Sequence, residues 1–168
     1  VQMSDPEFPF LIGVDGGGST CRIALQSDDR RFEVKLAQAT NVASDRESAI
    51  ATIQQGLDQV LAKANLASGD LARCKVYMGL AGIMSVADSV DVGSAFAAGR
   101  IAVFDDRALA VYGALGTKEG AIVSIGTGSF VGRNNDGAVQ FVGGWGLALD
   151  DAASGAWLGR CALRETLR

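Results

Sequence analysis

The chain has 168 residues, 48% of them hydrophobic and 20% charged, with 22 glycines, three cysteines and no histidine. Without histidine, Ser-His-Asp and Cys-His catalysis, His-ligated zinc and histidine pH switching are excluded, so acid–base chemistry falls to carboxylates, Lys, Tyr or Cys. A net charge of −4 argues against nucleic acid or an anionic membrane as the main partner, and no run approaches the roughly 18 apolar residues of a membrane span.

Val1-Gln2-Met3-Ser4-Asp5 has neither a basic nor an apolar signal region. Cys21, Cys74 and Cys161 are widely spaced and never in C-x-x-C, which fits reduced, partly buried thiols rather than a disulfide or iron–sulfur frame. Both features lead to an expectation of a cytoplasmic protein. Opening on Val1 instead of Met reads as a piece of a longer chain.

Phe10 to Asp15 is an apolar run stopped by Gly16-Gly17-Gly18, as expected of a buried strand entering a turn. Cys21 to Gln26 and Arg31 to Leu36 alternate apolar and polar residues, so the first three strands form an antiparallel meander. The charges at Asp28-Asp29 and Arg30-Arg31 are solvated loop groups in this reading. Ser44 followed by Glu47 fits a capping box, opening a helix with Ile50, Ile53, Leu57, Val60, Leu61 and Ala64 on one face. Val76 to Leu80 and Ile101 to Phe104 read as strands, Val86 to Ala98 as a helix between them, and Ala108 to Leu115 as a short helix. The first 117 residues thus predict β-β-β-α-β-α-β-α.

The pattern then restarts. Ala121 to Ile125, Phe130 to Arg133 and Val139 to Val142 read as strands, with a hairpin turn at Asn134-Asn135-Asp136-Gly137 and a helix from Ser154 to Thr166. The recurring β-β-β-α order predicts a second copy that begins at 118 and is incomplete at 168. Completing it by analogy with the first copy needs at least ~60 further residues.

Three clusters carry chemistry. Asp15-Gly16-Gly17-Gly18-Ser19-Thr20 ends a strand: glycines let backbone N–H groups approach an anion, and the hydroxyls add donors. A carboxylate there suits Mg²⁺ held through water beside phosphate; the bland alternative is a glycine-rich hairpin with a capping Asp. Gly126-Thr127-Gly128-Ser129 offers the same chemistry at the start of the second unit, and two such turns across a cleft would grip a triphosphate. The sequence lacks a G-x-x-x-x-G-K-[ST] loop, and a strand rather than a helix follows the first glycines, against a G-x-G-x-x-G site.

Asp105-Asp106 closes a strand and precedes a helix, where a carboxylate can either face a ligand cleft as a general base or cap the helix. Gly143-Gly144-Trp145-Gly146, followed by Asp150-Asp151, suits a sugar with apolar faces and hydroxyl edges, or else a turn with a core Trp. Thr40-Asn41 and Leu80-Ala81-Gly82 are further cleft residues in this reading, although Asn41 equally suits an ordinary loop before a helix.

Taken in order, Leu-Ile-Gly-Val-Asp15-Gly-Gly-Gly, Ala-Thr40-Asn41, Gly79-Leu-Ala-Gly82, Asp106, Ile125-Gly-Thr127-Gly-Ser129 and Gly143-Gly-Trp-Gly146 through Trp157 resemble the actin-like sugar-kinase superfamily. More narrowly, the chain is similar to the BadF/BadG/BcrA/BcrD-type ATPase family with its N-acetylglucosamine and glucosamine kinases. The resemblance implies an α/β, ribonuclease H-like fold duplicated around an ATP–Mg²⁺ cleft, and transfer of a γ-phosphate to the 6-hydroxyl of a hexosamine.

It implies Asp106 as general base and sugar ligand and Asp15 as organiser of Mg²⁺. Ser19 and Thr127 would contact ATP phosphates, joining Gly16, Gly17, Gly18, Thr20, Gly126, Gly128 and Ser129 of the two turns read above as phosphate-gripping, and Asn41, Gly144, Trp145, Gly146 and Asp151 would hold the sugar. Its adenosine-binding motif is expected beyond Arg168, so the fragment alone would be inactive; a homodimer is left open. Asp150-Asp151-Ala152-Ala153-Ser154 departs from the family's Gly-Asp-Glu-Gly-Ser. The alternatives are an ATPase activator of a dehydratase, a non-catalytic sugar sensor, and an actin-like filament role.

Overall fold

The structure, a computed structural model, describes residues 7–27 and 30–168. The opening segment Val1 to Asp5 and the acidic pair Asp28-Asp29 lie outside the described residues. The chain divides into two compact units, Val1–Asp106 and Arg107–Arg168.

In the first unit, strands β1 (Phe10–Gly16), β2 (Cys21–Ser27) and β3 (Arg30–Leu36) form the expected antiparallel meander. Helix α1 (Arg46–Lys63) follows, then a 3-10 helix at Ser68–Arg73, β4 (Cys74–Leu80), α2 (Val86–Gly93) and β5 (Arg100–Asp105). The sheet order is β3-β2-β1-β4-β5, with β4 parallel to both β1 and β5. The sheet is therefore mixed, and its parallel part requires the crossovers that α1 and α2 supply.

Period-two alternation decides which residues enter the core. Ile12 and Val14, Ile23 and Leu25, and Val76 and Met78 are all at most 2% exposed. They share the sheet face covered by Ile53, Leu57, Val60 and Leu61 of α1. Burial of each such side chain is worth about 1.5–3 kcal/mol. The helix rides close to the sheet because position 56 is glycine: a Cβ there would stand 2.5 Å from Ile23 Cδ1 and 3.0 Å from Leu36 Cδ1.

Two boundaries differ from the sequence reading. The α1 N-cap is Asp45, not Ser44: Asp45 Oδ1 accepts the Ser48 N–H at 3.0 Å. Ser44 is instead spent in the preceding turn, where its N–H donates to Asn41. Helix α2 stops at Gly93 instead of running to Ala98, because the chain turns through Phe96 N–H to Gly93 O at 3.2 Å and buries the Phe96 ring. At its start, Ser85 and Asp88 cap each other, with Asp88 N–H to Ser85 Oγ at 3.1 Å and Ser85 Oγ to Asp88 Oδ2 at 2.8 Å.

The second unit contains α3 (Asp106–Leu115, from Arg107 onward), β6 (Gly120–Ile125), β7 (Ser129–Asn135), β8 (Ala138–Gly143) and α4 (Gly155–Thr166). Its three strands are antiparallel in the order β6-β7-β8. The β7–β8 hairpin closes on Asp136-Gly137, both with positive φ, as a two-residue turn of matching twist requires. Tyr112 of α3 donates its hydroxyl to Gly137 O at 3.1 Å, and Val111 is fully buried against β7 at Gly132.

Candidate active site

In the first unit the strand register places three functional segments along one edge. Gly16 of β1 pairs with Leu80 of β4, and Leu80 with Asp105 of β5, so the C-terminal ends of three parallel strands finish in line. Gly16 and Asp105 lie two strands apart, about 10 Å. Ligands of open α/β sheets bind at this edge, because that is where loops leave the sheet together. Asp106, the expected base, opens α3 directly after β5.

The edge is tied together by backbone. Ala81 N–H donates to Gly16 O at 2.8 Å, Thr40 N–H to Gly17 O at 3.0 Å, and Val42 N–H to Ala81 O at 3.0 Å. Thr40 is fully buried, and a Cβ on Gly16 would stand 2.5 Å from its Oγ1 and 2.6 Å from Leu80 Cδ2. The expected Gly16–Thr20, Thr40-Asn41 and Leu80–Gly82 segments are thus brought into one cluster.

Their glycines do different work. The missing Cβ of Gly16 makes room for Thr40 and Leu80, and the Gly17 N–H is spent on Thr20 O at 3.0 Å. At the tip of this turn Gly18 and Ser19 are exposed and Thr20 is half-buried. Asp15 alternates out between the buried Val14 and Gly16, its side chain 70% exposed, with Arg22 Nη1 4.0 Å from Oδ2. An accessible carboxylate beside the hairpin tip fits a hydrated Mg²⁺ carried by phosphate.

Asn41 shapes the turn before α1. Its Oδ1 accepts from Ala43 N–H at 3.0 Å and Ser44 N–H at 3.2 Å. Gly82 sits against it at φ +87°, where a Cβ would meet Asn41 Oδ1 and stand 2.6 Å from Ala43 N.

In the second unit the Gly126–Ser129 turn is bound to the segment before α4. Gly126 N–H donates to Gly128 O at 2.8 Å, and Gly155 N–H to Gly126 O at 2.8 Å. Both donors of Ser129 are engaged: its N–H with Asp151 Oδ1 at 3.2 Å and its hydroxyl with Ala152 O at 2.7 Å. Thr127 and Gly128 form the exposed to half-buried tip. Asp151 is 7% exposed and lies under this turn, with its oxygens 3.0–3.1 Å from where a Gly128 Cβ would be. Buried Ser154 caps α4 by accepting the Trp157 N–H at 3.1 Å.

The Gly143–Gly146 loop holds its shape through three glycines at positive φ, Gly143, Gly144 and Gly146. Trp145 between them is 58% exposed, so it is not the core indole of the bland alternative. Arg107 was not singled out in the sequence, since a lone Arg after two Asp carries no motif. Its guanidinium carbon lies 4.2 Å from the Phe141 ring centre and 5.6 Å from that of Trp145. Arg107 Nη1 also donates to Gly143 O at 2.9 Å.

Burial pushes the Cys21 and Cys74 thiols up to about 11, with the Asp15 charge adding to the effect at Cys21 and Asp70 at Cys74. Both thiols are free and buried, and Cys161 is half-buried. No helix among the described residues is long and apolar enough to cross a membrane.

The sequence profile of the BadF/BadG/BcrA/BcrD ATPase family matches residues 12–168. The chain is 28% identical over 166 residues to an N-acetylmuramic acid/N-acetylglucosamine kinase of Clostridium acetobutylicum, covering 95% of this chain and 54% of that one. It is 28% identical over 165 residues to glucosamine kinase GspK of Vibrio cholerae, with 94% and 54% covered. A solved Chromobacterium violaceum protein, provisionally assigned as an N-acetylglucosamine kinase, superposes with a TM-score of 0.83 at 31% identity, covering 95% of this chain and 57% of that one. The chain therefore spans about half the length of the curated relatives it matches.

Proposed function

Because the chain belongs to the BadF/BadG/BcrA/BcrD ATPase family and has the α/β mixed-sheet fold of its sugar-kinase neighbours, we propose that it is part of an ATP-dependent hexosamine kinase. The acceptor is the 6-hydroxyl of N-acetylglucosamine or glucosamine. One observation carries this reading: the register that aligns Gly16, Leu80 and Asp105 at a single sheet edge, with Asp106 next in the chain.

Phosphoryl transfer depends mainly on positioning and charge neutralisation, so carboxylates and backbone donors suffice without histidine. In the proposed roles Asp106 accepts the proton of the attacking hydroxyl. The tips Gly18–Thr20 and Thr127-Gly128 supply phosphate donors, while Gly16, Gly17, Gly126 and Ser129 fix the turns behind them. Asn41, Gly144, Trp145, Gly146 and Asp151 shape the sugar side. Asp15 would hold Mg²⁺ through water, and that ion, when bound, offsets phosphate charge.

In this proposal residues 1–117 are a ribonuclease H-like domain and 118–168 the first part of a second copy, with α3, which ends the first domain in chain order, packing within the second compact unit. The partners are an amino sugar and ATP, with a homodimer in the cytoplasm the proposed setting. The relatives' names favour a kinase over a dehydratase activator, and buried thiols at Cys21 and Cys74 are poorly offered as cluster ligands.

ATP consumption by the protein carrying this sequence, measured across a panel of hexosamines, tests the reading. Sugar-dependent turnover with N-acetylglucosamine or glucosamine is expected; sugar-independent ATP hydrolysis alone would refute it. Asp15→Ala should weaken Mg-ATP use much more than sugar binding, and equal loss of both would count against the role given to Asp15.

A further inference from the structure

We propose that Arg107 is the positioning residue of the Gly143–Gly146 loop, holding Trp145 as a fixed wall for one face of the amino sugar. The inference rests on the kinase reading for the identity of the ligand, but the clamp itself stands on the geometry.

Three independent contacts converge on one guanidinium. Its carbon is 4.2 Å from the Phe141 ring centre, within stacking range, and 5.6 Å from that of Trp145. Its Nη1 donates to Gly143 O at 2.9 Å, pinning the loop where it leaves β8. A Cβ on Gly144 would lie 3.1 Å from Arg107 Cδ and 3.3 Å from Nη1, so the side chain fills the space that this glycine leaves. The planar fork is needed: a lysine ammonium can sit over an aromatic ring but cannot stack flat and bond the carbonyl in one plane.

Gly143, Gly144 and Gly146 have φ of +88°, +77° and +85°, values that glycine visits freely, so the loop has little intrinsic stiffness. An exposed indole on such a loop is a poor binding wall unless something orders it. Arg107 supplies that order before the sugar arrives, which lowers the ordering cost of binding.

The experiment follows the fluorescence of Trp145, one of two tryptophans in this sequence. In a background where Trp157 and every tryptophan outside this sequence are replaced by Phe, acrylamide quenching of Trp145 reports loop order without any sugar. Arg107→Ala should raise the quenching constant about twofold, with Arg107→Lys and Phe141→Leu intermediate. N-acetylglucosamine or glucosamine should protect Trp145, and Arg107→Ala should need roughly tenfold more sugar. In phosphoryl-transfer assays the sugar KM should rise more than kcat falls, with Arg107→Lys recovering part of the difference. Unchanged quenching in folded Arg107→Ala and Phe141→Leu proteins, checked by circular dichroism, would overturn the clamp. Looser quenching with no protection by either sugar, even in the parent, would leave the clamp standing and count against the kinase reading instead.

Discussion

The Asp151 carboxylate accepts the Ser129 backbone N–H at 3.2 Å, joining the segment before α4 to the β6–β7 turn. Asp151 sits at φ +60°, a conformation that short polar side chains tolerate better than alanine. Asp151→Ala should therefore cost about 1–3 kcal/mol of stability, read from the urea midpoint, because a half-buried donor loses its acceptor. Asp151→Asn keeps an acceptor and the backbone preference, and should stay near parental stability. A drop in sugar affinity in the folded Asn variant is the outcome expected if Asp151 also reaches the sugar.

Ala153, two residues on, has φ +65° and no polar side chain to ease it. The left-handed region costs an alanine about 1–2 kcal/mol, while glycine there costs only some unfolded-state entropy. Ala153→Gly is predicted to raise the urea midpoint by an amount worth about 0.5–1 kcal/mol. A lower midpoint would contradict the strain assigned to this position.

Gly82→Ala should do the reverse. At φ +87° its new Cβ would stand 2.6 Å from the Ala43 backbone nitrogen, which has no flexible end to move aside. A loss of at least about 2 kcal/mol is expected from backbone conformation and overlap together. Hydrogen exchange at Ala43 and Ser44, whose amides bond Asn41, should speed up in parallel.

Much of this fold was legible in the sequence, for physical reasons that also mark where legibility ended. The alternation in Cys21–Gln26 and the heptad-like face Ile53-Leu57-Val60-Leu61 are one-dimensional records of a single buried side, so β2 and α1 appear where expected. Local competition was not legible. Ser44 and Asp45 are both good caps, and only the Asn41 turn, which takes up the Ser44 amide, makes Asp45 the winner. The spaced apolar residues after Val86 continue past Gly93 because Phe96 enters the core through a turn, a choice that periodicity cannot distinguish from helix. At the site, glycine-rich turns were readable as turns, but which N–H groups face inward was not. Arg107 left no trace because its partners lie 34 to 38 positions away in sequence (Phe141 and Trp145).

The cysteines give a pH prediction. Burial holds the Cys21 and Cys74 thiols at about 11, above their ordinary 9.0, so the unfolded chain releases these protons first as pH rises. Their stabilising contribution is complete below pH 9 and is lost as pH climbs towards 11, with each thiol lowering stability by up to about 1.4 kcal/mol per pH unit in that window. Denaturation series at pH 8, 9.5 and 10.5 should show this decline, and Cys21→Ser with Cys74→Ala should flatten it. At pH 8 a thiol reagent should label Cys161 first, reaching Cys21 and Cys74 only as the protein opens.

The most direct test of the central claim is the rate of N-acetylglucosamine- and glucosamine-dependent ATP consumption by Asp106→Asn beside the parent protein. A general base contributes about 10²–10⁴-fold, so turnover should fall by that factor while folding and sugar binding survive. Turnover at the parental rate in a folded Asp106→Asn protein would contradict the account.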